Sequence, residues 1–146
     1  MSSIVELIDA FHEKKISSDD YLKGLDRQIQ YAENKLKELP RQKIVPDDQA
    51  LWQEKLLPGL TAAFEGMIGA ATEAKLYAKN RNPDLLSAVG LLIVGVGQLL
   101  EQVEAASGKV SAATQQAIGD VLNAPQDGVE LASSKGSADS AVTFLD

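Results

Sequence analysis

The chain has 146 residues, 45% apolar and 24% charged, with a formal net charge of −7. That length favours one domain that buries roughly two-thirds of its unfolded surface around a single core. With no cysteine and no basic patch, disulfides, thiolate chemistry and Cys-based zinc sites are excluded, and neither nucleic acid nor an anionic membrane surface is an expected partner.

Aromatic residues make up only 5% of the chain, which leaves the core to Leu, Ile, Val and Ala and points to an all-α helical bundle. The N-terminal stretch MSSIVELIDAFHEKK lacks a basic leading region, and Glu6 and Asp9 interrupt its apolar positions. It does not read as a signal peptide, so the expected location is the cytoplasm.

The first helix is expected from about Ser3 to Lys15. A serine caps its N–H groups, Glu6 faces the positive end of the dipole, and Ile4, Leu7, Ile8 and Phe11 form one apolar stripe. A second start follows in ISSDDYL, where Ser17 or Ser18 can cap ahead of Asp19 and Asp20. This second helix reads to about Leu39 and stops at Pro40. Its apolar residues Leu22, Leu25, Ile29, Ala32, Leu36 and Leu39 follow a 3-4-3-4-3 spacing, which is a coiled-coil seam. A seam this narrow suits pairing with one or two helices, within the chain or with a second copy.

After the connector RQKIVPDDQ, a third helix is expected from Pro46 to about Lys79, bent at Pro58-Gly59. Beyond the bend, Gly59, Ala63, Gly66, Ala70, Ala74 and Ala78 form a small-residue stripe, while Leu60, Phe64, Met67 and Ile68 form a bulky side. Apolar surface on two sides places this helix between neighbours.

Asn82 and Pro83 start the fourth helix, which ends near Ser107. The short link makes the third and fourth helices an antiparallel hairpin. The fourth contains LLSAVGLLIVGVGQLL, sixteen residues without a charge. Those residues span about 24 Å as a helix, short of the ~30 Å hydrocarbon thickness, and no aromatic residue anchors either end. A buried central position against the small-residue stripe is the expectation. VSAATQQAIGDVLNAP supports a further short helix from about Ser111 to Asn123.

The domain reading is a bundle over 1–124 with three parts: an N-terminal helical pair in 1–40, the hairpin in 46–107 and the extra helix in 110–124. Residues 125–146 read as a flexible tail rich in Ser, Ala, Gly and Asp, tipped by Val142, Phe144 and Leu145.

Chemistry is hard to place on this chain. His12 is the only histidine, so neither a two-histidine metal site nor a ferritin-like di-iron set can form within one chain. HEKKI has Ile16 where HExxH needs its second ligand, and neither GxxxxGK[ST] nor GxSxG occurs. The pairs Asp19-Asp20 and Asp47-Asp48 fall in first turns, where the helix dipole accounts for them. Glu101 and Glu104 read as the point where the fourth helix emerges into solvent. No catalytic residue, cofactor or metal is expected.

The functional expectation is therefore a non-enzymatic interaction or scaffolding module, homodimeric or bound to a protein partner. Its contact candidates are Leu22, Leu25, Ile29, Ala32, Leu36, Leu39, Phe144 and Leu145. The alternative is binding of lipid or a small apolar ligand, or membrane insertion, through the hairpin of the third and fourth helices.

Overall fold

A computed structural model describes residues 3–122, which form helices and connecting turns with no β-strand among them. Five helices build the fold: α1 (Ile4–His12), α2 (Ser18–Glu38), α3 (Leu57–Asn80), α4 (Pro83–Ser107) and α5 (Ala112–Leu122). Each of the first starts satisfies N–H groups that have no partner inside the helix. The Ser3 hydroxyl accepts from the Glu6 N–H at 3.1 Å, and the Glu6 carboxylate accepts from the Ser3 N–H at 2.8 Å, a complete capping box. Ser17 accepts from the Asp20 N–H at 3.1 Å, and Asn82 from the Asp84 N–H at 3.0 Å. At the far end of α3, Arg81 adopts a left-handed conformation (φ 56°) and its N–H donates to the Tyr77 carbonyl at 2.8 Å.

The segment before α3 differs from a simple bent helix. A 3-10 turn (Pro46–Asp48) and one α-turn (Gln49–Leu51) lead into a π-helical turn, Trp52–Leu56, which continues directly into α3. The cause is Pro58. It brings no N–H for the Glu54 carbonyl, and its ring crowds that same carbonyl. Widening the preceding turn relieves the crowding without breaking the rod, so the disturbance falls ahead of Pro58-Gly59.

α3 is the middle of the molecule, with α2 and α4 antiparallel on its two sides. Tyr21, near the start of α2, donates to the Ala74 carbonyl near the end of α3 at 2.7 Å, and Tyr31 packs edge-on against Phe64. On the other side, a Cβ on Gly59 would sit 2.8 Å from Val103 of α4, and one on Gly66 would sit 2.7 Å from Val96. Both pairs are seven residues apart and run in opposite directions, so α3 and the valine ridge of α4 meet closely between Gly59 and Gly66, while Ala78 of the expected small-residue stripe faces α2 instead. The bulky side of α3 supplies the buried centre with Leu60, Phe64 and Met67, each stabilising the fold by roughly 1.5–3 kcal/mol through burial.

α1 and α5 cover one side of this three-helix layer. Leu7 of α1 fills the space above Gly24 of α2, and the Leu122 carbonyl of α5 accepts from the Tyr31 hydroxyl at 3.4 Å. Gly24 and Tyr31 are seven residues apart and share a face of α2. Leu22 and Ile29 precede them by two positions each, which on a 3.6-residue helix puts them on the far side.

The expected central position of the uncharged stretch is corrected by the structure. α4 lies at an edge of the layer. Val89, Ile93, Val96, Leu100 and Val103 face inward, while Leu91 is 76% and Val94 51% exposed. The seam with α3 forms, but among the described residues only two short helices cover the layer, and none of them encloses the opposite flank of α4.

Candidate interaction surfaces

The seam of α2 is divided by its position in the fold. Leu25, Ala32 and Leu39 are buried inside the chain, whereas Leu22, Ile29 and Leu36 are half-buried and pack on the core's margin. The buried stripe of α2 is rotated from the expected one and includes Tyr21, Gln28, Tyr31 and Lys35. Lys35 shows why periodicity missed them. Lys35 is buried beside a recess that it lines with Asp120 and Val121 of α5, and its ammonium reaches Glu38 at 3.0 Å while standing 5.8 Å over the Tyr31 ring. Three of the six seam candidates, with Leu39 just past the end of α2, are thus occupied within the chain. Phe144 and Leu145 lie outside the described residues.

α4 presents a second surface. Ser87, Gly90, Leu91, Val94 and Gln98 form its exposed flank, with Ala88, Leu92 and Gly95 half-buried beside them. A Cβ placed on Gly90 or on Gly95 would meet nothing within 4 Å. Nothing among the described residues packs where a side chain at either position would lie, yet each glycine weakens the helix by about 1 kcal/mol relative to alanine. Charge is confined to the ends of this surface, at Asp84, Glu101 and Glu104.

Two polar clusters are structural in their geometry. At one end of the layer, Tyr21 stacks on Phe11 with ring centres 4.2 Å apart, and the Arg81 guanidinium lies 4.4 Å over the Phe11 ring. The Tyr77 hydroxyl is 3.0 Å from His12 Nε2. Burial, reinforced by neighbouring Tyr77, pushes the Tyr21 phenol up to about 12 against the opposing pull of Arg81. Burial does the same to Tyr31, which is held well above the usual phenol range. Both groups stay neutral at any physiological pH and serve as donors to backbone carbonyls.

At the other end, the buried Asp48 carboxylate accepts from the Ser111 N–H at 3.2 Å, from the Ser111 hydroxyl at 2.6 Å and from the Thr114 hydroxyl. The Ser111 and Thr114 hydroxyls hold its carboxyl below the usual aspartate range. Asp48 thus anchors the start of α5 from 63 residues away. First-turn dipole placement describes only part of its role, and no local signal connects PDD to SAAT.

Among the described residues, no three His, Cys, Asp or Glu side chains gather to hold a metal ion. Open space lies between α2 and α3, where Leu22, Ile29, Thr72, Lys75, Leu76 and Lys79 line a groove of about 540 Å³. The α3–α4 line leaves no such room at the levels of Gly59 and Gly66. No protein family, curated protein or solved structure matches this chain.

Proposed function

We propose that the protein is a non-enzymatic interaction module that associates with a second copy of itself through the outer flank of α4. The observation that carries this reading is the apolar outer flank of α4, where Leu91 and Val94 stand exposed and, at its two edges, a Cβ on Gly90 or on the half-buried Gly95 would meet no described atom within 4 Å. Glycine costs helix stability and no described residue packs against either position, whereas a second helix could approach such a face closely. The flank is also a stretch of surface on which a chain of net charge −7 can meet its own copy without opposing like charges. On this reading α2 works inside the bundle, with only Leu22, Ile29 and Leu36 left at its margin.

Sedimentation analysis tests it. The wild type is expected to dimerise, and Leu91→Glu with Val94→Glu to leave a monomer of unchanged fold, because both side chains are exposed in the single chain. A wild type that stays monomeric at high concentration would remove the proposal.

A second reading is membrane association through the same helix, favoured by one feature. α4, 25 residues long, is apolar enough by length and composition to cross a bilayer, and most of its apolar stretch is not buried among the described residues. Flotation with liposomes across a range of pH separates the two readings, since acid neutralises Asp84, Glu101 and Glu104. Protein that floats with vesicles in place of dimerising would favour the membrane.

A further inference from the structure

The groove between α2 and α3 is on a different pair of helices from the α4 flank. Its floor is apolar, formed by Leu22 and Ile29 of α2 and by Ala78 and the 42%-exposed Leu76 of α3. Its volume of about 540 Å³ falls within the roughly 300–1,000 Å³ typical of small-molecule sites. From Ser18 to Ile29 it follows eleven helical steps, about 16 Å, so its shape is that of a trough. The charged residues lining it are both lysines, Lys75 and Lys79, in a chain that is acidic overall.

The two lysines differ in their engagement. Lys75 Nζ bonds Asp26 Oδ1 at 2.6 Å, which fixes it at the rim. The Lys79 ammonium has no carboxylate within ion-pair distance among the described residues, and it stands at the end of the trough nearest the Ser18 hydroxyl. The Thr72 hydroxyl is committed to the Ile68 carbonyl at 2.7 Å and adds no free donor at mid-length. Further along the trough Lys75 and Thr72 are already engaged, which leaves the Lys79 ammonium beside Ser18 as the cation without a carboxylate partner among the described residues.

We propose that this groove binds a single long-chain carboxylate. The acyl chain would lie on Leu22, Ile29, Leu76 and Ala78, and the carboxylate would accept from the Lys79 ammonium and the Ser18 hydroxyl. Charge complementarity selects an anion over a cation, and the one-ended placement of the donors selects a head-and-tail molecule over a uniformly apolar one. This site is independent of the α4 flank, so either can fail without the other.

Titration of the full chain with monomeric dodecanoate, followed through the methyl resonances of Leu22, Ile29 and Leu76, tests the assignment. Saturable one-to-one binding is expected at those methyls, with no binding of dodecyltrimethylammonium. Lys79→Glu, at an exposed position, should weaken dodecanoate about ten-fold or more. Leu76→Asp should weaken it as well while the thermal transition stays in place. Equal binding of the cationic amphiphile, an unchanged affinity in Lys79→Glu, or shifts centred on Leu91 and Val94 would overturn the proposal. So would uptake only from acyl-carboxylate-loaded vesicles and not from the monomer.

Discussion

The two seams of the α3–α4 hairpin use glycine for opposite ends. On the inner seam, Gly59 and Gly66 lie under Val103 and Val96, and an added Cβ would come within 2.8 and 2.7 Å of a valine methyl. On the outer flank, a Cβ on Gly90 or Gly95 would meet open space. The inner pair lets two backbones close up within one chain. Among the described residues nothing comes within reach of the outer pair. Glycine content alone does not distinguish packing from docking; the neighbour within reach of the missing Cβ does.

The largest effect should come from the inner seam. Gly66→Val forces a branched side chain against Val96, whose stiff rotamer cannot swing clear, and should destabilise the fold by about 2–3 kcal/mol. Thermal unfolding would show this as a fall of roughly 5–10 °C. Gly24→Ala should be milder, because its nearest atoms are the terminal methyls of Leu7, at 2.7 and 2.9 Å, on a more flexible side chain. If Gly66→Val were as stable as the wild type, the close approach of α3 and α4 would be wrong.

A second effect concerns the anchoring of α5. The hydrogen bonds from Ser111 and Thr114 stabilise the charged form of Asp48, so its folded-state pKa lies below its unfolded value of about 3.9. That contribution is fully present above the unfolded value and is lost as pH falls through the folded one. In Asp48→Asn, the corresponding part of the acid-side pH dependence should vanish, and the amide hydrogens of α5 should exchange faster at neutral pH. Identical stability–pH curves for the two proteins would show that the carboxylate is not needed there.

The smallest effect on stability, and the most informative for docking, lies on the outer flank. Leu91→Glu alone should change the single chain's stability by less than about 0.5 kcal/mol, because the side chain is exposed. Equilibrium denaturation at a concentration low enough to hold the monomer measures this. A loss of several kcal/mol would mean that Leu91 belongs to the core.

Much of the helical layout was legible in the sequence, because starts and stops are set locally. Ser3 with Glu6, Ser17 with Asp20, and Asn82 with Asp84 all act over two or three residues, within reach of pattern reading. The close approach of α3 and α4 at Gly59 and Gly66 was legible for a similar reason, although Ala78 of the same stripe turns toward α2. Three features were not legible. The π-turn at Trp52–Leu56 is a relaxation around Pro58 whose position depends on where the strain is relieved.

The division of the α2 seam depends on which neighbours cover which side. Leu25 and Ile29 are equivalent by spacing, yet one is buried and the other faces the groove. The exposure of α4 depends on how many helices remain to cover it, which no window of its own sequence contains.

The most direct test of the α4 surface is to measure thermal stability and dimer affinity together in Gly90→Ala/Gly95→Ala. Two alanines with open space around their Cβ atoms should stabilise the isolated helix by about 1 kcal/mol each. The account predicts that the variant melts higher at a concentration too low for dimers, yet sediments as a weaker dimer than the wild type, because methyl groups now hold the second helix away. Higher melting with undiminished dimerisation would contradict it, since the glycines would then serve no approaching surface.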